Sequence, residues 1–190
     1  MRYLLLFAYL LQLTACFPGR PLGYFEVDPY TRNLNTYQDE AITIVVDPTI
    51  LEAHLVDKSP NKYRHFTQFR TTLLNNWQRA LRPHFRTVGT ADVPPSEGYT
   101  LYVHRMHPRY EAEVISTGGD GATDLVAAVF DYDVELAYAG KTLRNARGRA
   151  KGTRKMITGS GWEDAMISAF EYALEEAFAE LFVEGELSAD

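Results

Sequence analysis

The sequence predicts a two-layer α/β (α+β) sandwich, a mixed, mostly antiparallel sheet with two helices packed on one face. Three observations carry this. Val126 to Tyr138 alternates apolar and acidic residues, and Thr142 to Ile157 alternates small and basic ones, as strands do. Two other stretches repeat apolar residues at steps of three and four, as helices do. Each element then has one apolar face, and such faces are buried by packing against one another. The chain has 190 residues, which suits one ordinary domain, and it contains no internal repeat.

Taken in order, Ile42-Thr43-Ile44-Val45-Val46 is a β-branched run ended by Asp47-Pro48, a buried strand leading into a loop. From Tyr63 to Leu81 the spacing is helical, with Phe66, Phe69, Leu73, Leu74, Trp77 and Leu81 on one face and Pro83 as the stop. A polar turn at Asp92 to Gly98 precedes an alternating strand, Tyr99 to Met106. Pro108 interrupts that strand, with Glu111 to Ile115 open to being a further one. Ser116 to Asp124 reads as a loop.

A hairpin centred on Gly140 sets Asp133 opposite Arg147 and Asp131 opposite Arg149, and on the other face Tyr132 opposite Gly148 and Phe130 opposite Ala150. A slip of one residue destroys both matches. Gly159-Ser160-Gly161 then releases a long helix, Trp162 to Val183. There Ala165, Ala169, Ala173 and Ala177 form a row beside Met166, Phe170, Leu174, Phe178 and Phe182. Small beside large lets this helix lie close to a sheet, with Glu171, Glu175, Glu176, Glu180 and Glu184 toward water.

Composition excludes several functions. The 19 basic and 25 acidic residues give −6, which disfavours a general electrostatic grip on nucleic acid. One cysteine builds neither a disulfide framework nor a zinc knuckle. No apolar run approaches the ~20 residues of a spanning helix. Gly140-Lys141-Thr142 is not a phosphate loop, since the position that needs the first glycine is Glu135. The Gly118-Gly119-Asp120-Gly121 stretch lacks the ligand order of a calcium loop, and Ser160 has no nucleophile elbow. His104 and His107 are three apart, hence on opposite faces of a regular strand and poor co-ligands. No carboxylate stands out for acid–base work, so no catalytic residue, no metal site and no enzymatic activity is expected.

The N-terminus is the clearest signal. Met1-Arg2 is a positive start, Tyr3 to Leu13 is apolar, and small and polar residues follow, as in a secretory signal peptide. Leu13-Thr14-Ala15-Cys16 resembles the lipobox of bacterial lipoproteins. That resemblance implies cleavage before Cys16, a diacylglycerol on its thiol and an acyl chain on its new amino group, and no other cofactor. Two or more chains anchor stably where one does so only marginally. Phe17 stands where an aspartate retains many such proteins at the inner membrane, so the family rule implies the outer membrane with the domain facing the periplasm. Removal of residues 1–15 leaves 18 basic and 25 acidic residues, a net charge of −7.

The expected organisation is residues 1–15 signal peptide, 16–40 lipidated terminus and tether, 41–185 one domain, and 186–190 a tail. The Pro- and Gly-punctuated stretch from Phe17 to Glu40 could span at most ~80 Å, placing the domain well clear of the bilayer. Tyr24, Phe25, Tyr30 and Tyr37 leave room for part of it to pack.

The remaining feature is charge asymmetry. Lys141, Arg144, Arg147, Arg149, Lys151, Arg154 and Lys155 are seven basic residues in a stretch without an acid, whereas Glu163 to Asp190 holds nine acids and no base. Such a strand suits docking to an anionic partner such as lipopolysaccharide, anionic lipid or an acidic protein patch. It equally suits a shielded strand edge, with Arg147 and Arg149 neutralised across the hairpin.

With lipobox, tether and strand–helix–strands–helix order together, the chain resembles small outer-membrane accessory lipoproteins. In organisation it is most similar to the lipopolysaccharide-assembly lipoproteins of the outer-membrane translocon. Similar order occurs in auxiliary lipoproteins of lipid-transporting ABC systems and in lipoproteins around flagellar and secretion machines. The resemblance implies a non-catalytic structural or assembly subunit of a cell-envelope complex, with a protein complex and the membrane as partners. The alternative is a small module for lipid or glycolipid phosphates.

Overall fold

The structure, a computed structural model, describes residues 21–28, 37–59, 62–114, 124–155 and 161–182. The expected signal peptide, Cys16, Tyr30, residues 115–123, Ser160 and the expected 186–190 tail lie outside them. Five strands form the main sheet in the order β4-β1-β5-β6-β7: β1 (Ala41–Val46), β4 (Thr87–Ala91), β5 (Tyr99–Val114), β6 (Asp124–Tyr138) and β7 (Lys141–Lys155). A small hairpin, β2 (His54–Ser59) with β3 (Lys62–Phe66), stands apart from it. Helices α1 (Phe69–Leu81) and α2 (Gly161–Leu181) cover one face, as a two-layer sandwich requires. Phe130 of β6 shows this directly, touching Phe69 of α1 at a ring separation of 6.2 Å and Phe170 of α2 at 5.4 Å.

The sheet is mixed because β1 runs parallel to both neighbours, β4 and β5, while β5, β6 and β7 are antiparallel. Its antiparallel ladders are the long ones. The β6–β7 register places Asp133 on Arg147, Asp131 on Arg149, Tyr132 on Gly148 and Phe130 on Ala150, as the alternation predicts. The two-residue turn has Ala139 at φ 48° and Gly140 at φ 79°. Positive φ at both positions is the backbone that a tightly twisted two-residue hairpin needs.

Gly152 explains how α2 sits down. A Cβ there would lie 2.5 Å from the Ala169 nitrogen and closer still to the Ala165 carbonyl oxygen. The alanine row of α2 therefore meets bare backbone on β7, and in the adjacent row Phe170 packs on Phe130 of β6 while Phe178 and Phe182 meet His84 and Phe85. Glu163 and Asp164 in the first turn complement the positive end of the helix dipole.

Three expectations need correction, and two strands stand where none is expected. Helix α1 begins at Phe69, and Tyr63 to Phe66 is the end of β3, because those aromatic residues continue the helical spacing by coincidence. Residues 54–59 and 87–91 are strands that carry no readable alternation. Tyr99 to Val114 is one strand through Pro108. Since β1 pairs only as far as Val103, the missing N–H of Pro108 falls where β5 has no β1 beside it. Finally, the stretch read as a tether packs in part: Leu22, Val27 and Tyr37 are buried, and Phe25 meets Phe170 edge-on at 5.3 Å.

Candidate functional site: the open sheet face and a histidine cleft

The helices leave the other face of the sheet bare among the described residues, and strand register decides what stands on it. Residues directly opposite share a face. Asp131 and Asp133 therefore share theirs with Arg109, Arg105, Arg149 and Arg147. Asp131 is the hub. Its carboxylate accepts from Arg149 Nε at 2.8 Å and from Arg109 Nη2 at 2.7 and 2.9 Å, with Arg105 at 3.9 Å. Burial pushes the Asp131 carboxyl up, but the hydrogen bond from Arg149 and the charge of Arg109 outweigh it and hold the group below the usual carboxylate range. Asp133 takes Arg147 Nε at 3.5 Å. Glu135 takes the Thr142 hydroxyl at 2.6 Å and His104 Nε2 at 3.0 Å. Burial raises this carboxyl, and those two bonds more than offset it and lower it.

The seven basic residues of β7 do not converge. Arg147, Arg149 and Lys151 lie on the open face, the last opposite Val129. A register shift between Leu136 and Ala137 puts Lys141 opposite Tyr138 and Arg144 opposite Leu136, on the helix-bearing face. Arg154, opposite Val126, is on that face too and weakens the burial-driven rise of the Glu171 pKa. Lys155 pairs in backbone with Leu125. The docking set is thus narrower along β7 and wider across the sheet. Arg105 and Arg109 of β5 join it, residues that a search for basic runs in sequence passes over.

The exposed guanidiniums are held, not loose. Arg149 is 57% exposed, Arg105 55% and Arg109 38%, while the Asp131 side chain that gathers them is only 16% exposed. Three cations around one shielded anion leave a surface that is locally positive and restricted in motion.

The second concave feature is a cleft of about 300 Å³ where β1 ends and β5 continues, lined by Thr49, Ile50, His54, His104, Arg105, Met106 and His107. A β-bulge between Val103 and Arg105 breaks the strict alternation of β5. His104 and His107, expected on opposite faces, consequently line the same cleft. His54 meets His107 edge-on at 5.0 Å, and its buried Nε2 has no hydrogen-bond partner among the described residues. Burial lowers the pKa of both imidazoles, helped by their mutual proximity at His54 and by Arg105 at His107. Among the described residues no group of three His, Cys, Asp or Glu side chains is placed to hold a metal ion. No helix among them is long and apolar enough to cross a membrane.

No protein-family model and no curated protein matches the sequence. Among solved structures, the chain is similar to protein XCC0632 of Xanthomonas campestris, a DUF330 protein, with a TM-score of 0.46 and 15% identity over 85% of this chain and 91% of that one. It is similar to an uncharacterised lipoprotein B of Nitrosomonas europaea, with a TM-score of 0.41 and 14% identity over 80% and 92%. It is also similar to the rare lipoprotein B of Shewanella oneidensis, with a TM-score of 0.40 and 11% identity over 73% and 87%.

Proposed function

We propose that this chain is a lipid-anchored accessory lipoprotein of a Gram-negative cell-envelope complex. In this reading Cys16 carries the acyl chains and the domain faces the periplasm from the outer membrane. Its role is that of a non-catalytic assembly or structural subunit, of the lipopolysaccharide-assembly type, working by surface complementarity. The observation that carries the reading is the open sheet face. Arg149 and Arg109 are partly exposed there yet hydrogen-bonded to Asp131, with Arg105 and Arg147 exposed beside them. Arginines fixed in this way present an acidic partner with donors whose ordering cost is already met.

The test is affinity purification from detergent-solubilised native membranes, comparing the wild type with Arg147→Glu. Supporting results are an envelope protein that co-purifies with the wild type, and a loss of that protein with the variant that is larger at low salt. Equal recovery with both removes the docking face. Salt-sensitive binding of the wild type to lipopolysaccharide vesicles without any protein partner favours the glycolipid-phosphate reading instead. Cys16→Ser addresses the anchor separately and is expected to release the domain from membranes or leave the signal segment uncut.

A further inference from the structure

The path of the chain out of the domain sets which side can meet a bilayer. The Leu22 N–H donates to the His65 carbonyl at 3.0 Å, and the Thr67 N–H donates to the Leu22 carbonyl at 3.0 Å, so Leu22 lies along the outer edge of β3. Residues 22–28 then follow α1. Asn76 Nδ2 donates to the Phe25 carbonyl at 3.0 Å, and the Val27 N–H donates to Asn76 Oδ1 at 2.8 Å. From Cys16 to Pro21 the chain reaches at most ~18 Å, whatever its conformation. That is far below the span expected of a tether running to residue 40. Phe66 beside Leu22 pairs with His54, and His54 touches His107 on β5. The Ala139-Gly140 turn lies beyond Tyr99, a further ~26 Å along β5 from His107. That pole is therefore too far from Pro21 to be the side presented to the membrane.

The near side has an unusual surface. Leu51, on the loop after β1, is 61% exposed, and Val93, on the loop after β4, is 73% exposed. Arg70 of α1 is bonded to the first loop and reaches toward the second. Its Nη1 donates to the carbonyls of Asp47 at 3.1 Å and Ile50 at 3.4 Å, while Nη2 lies 3.7 Å from the Asp92 carboxylate. Two apolar side chains are thus displayed on loops that flank one arginine, on the side of the sheet from which the N-terminal chain departs.

We propose that this flank, the 47–53 loop with Asp92 and Val93 beside the β2–β3 hairpin, is the surface the domain lays on its own bilayer, with Leu51 and Val93 dipping among the headgroups. The proposal rests on acylation of Cys16, which brings Pro21 within a short reach of the lipid. Single apolar side chains bind weakly, but a tether this short supplies a high effective concentration, so weak contacts suffice.

The test uses the full-length acylated protein in vesicles of phosphatidylethanolamine and phosphatidylglycerol. Because the native thiol carries lipid, one introduced cysteine bears the only dye, at Leu51→Cys, Val93→Cys or, on the far pole, Lys141→Cys. Nitroxide-headgroup lipids are expected to quench the first two at least about threefold more strongly than the third. A long Gly/Ser insertion after Phe17 lowers the effective concentration and is expected to shrink that contrast. Equal quenching at the three positions overturns the proposal. A dye at position 51 shielded from aqueous iodide yet untouched by the lipid quencher marks a protein interface there and also overturns it. Flotation separates the two readings. Protein that floats without a quenching contrast fails this proposal alone, whereas protein that does not float fails the anchor reading and takes this proposal with it.

Discussion

On one side of β6, Phe130, Tyr132 and Val134 sit under two helices and are buried; on the other, Asp131, Asp133 and Glu135 alternate with them in a row of charges. The same backbone builds both, yet the helix side depends on shape and the open side on charge. Tyr132 fills the place where Gly148 has no side chain, and its hydroxyl donates to Glu176 of α2 at 3.2 Å. Val129, on the open side, is just as buried, although neither described helix covers it. Arg109 and Lys151 flank it in register, so long aliphatic stems do there what a helix does opposite. Burial alone therefore does not distinguish the faces. What differs is whether the covering atoms can move aside.

That difference can be broken most sharply at Gly152. A valine there drives Cβ into the backbone of Ala165 and Ala169, which cannot give way without lifting α2. A loss of about 3 kcal/mol or more is expected in urea unfolding. Gly148→Ala is the control. Its Cβ meets the ring of Tyr132, 2.7 Å from Cζ, and a side-chain end moves more easily than a helix, so a smaller loss is expected. Asp131→Asn is the comparable break on the open side, removing the charge that gathers Arg149, Arg109 and Arg105. With those partners partly in water, about 1–2 kcal/mol is expected at pH 7.

The pH dependence follows from the depressed pKa of Asp131. Its contribution is fully present above the unfolded value near 3.8 and is lost as pH falls through the lower folded value. Unfolding measured from pH 6 to 2 should find that the Asp131→Asn variant loses less on acidification than the wild type. The smallest effect belongs to Arg147→Ala, at roughly 0.5 kcal/mol or less, because its contact with Asp133 is long and most of the side chain is solvated. A loss of 2 kcal/mol there would mean that the open face is held together more like the helix side than its geometry indicates.

The β6–β7 hairpin was legible because two independent periods, charge and size, agree on one register, and a glycine supplies the turn. Helix α2 was legible for the same reason, with an alanine row beside a large one. Strand β4 was not, since Thr87-Val88-Gly89-Thr90-Ala91 has no contrast between faces and gains its place by pairing with β1. The β2–β3 hairpin hides because its aromatic end runs into the periodicity of α1. In the site, Arg147, Arg149 and Lys151 could be read from alternation. Arg105 and Arg109 could not, because Asp131 gathers them from a distant strand. The histidine cleft depends on one bulged residue, and a bulge breaks the very alternation from which faces are read.

The parallel pairings of β1 also order the events of folding. The β6–β7 hairpin closes through a two-residue turn and can form in about 1–10 μs. Strand β1, by contrast, pairs with residues 87–91 on one side and 99–103 on the other, so it gains a hydrogen-bonded neighbour only after the β2–β3 and α1 region has been gathered in. Closing such a loop is paid for before its contacts return anything. The first of the described strands is therefore among the last to settle. A chain that emerges N-terminus first holds Ile42 to Val46, its most β-prone run, without a partner until Thr87 to Ala91 has followed. During that interval its hazard is pairing with another chain, and that hazard shrinks with protein concentration while the hairpin's own closure does not depend on it.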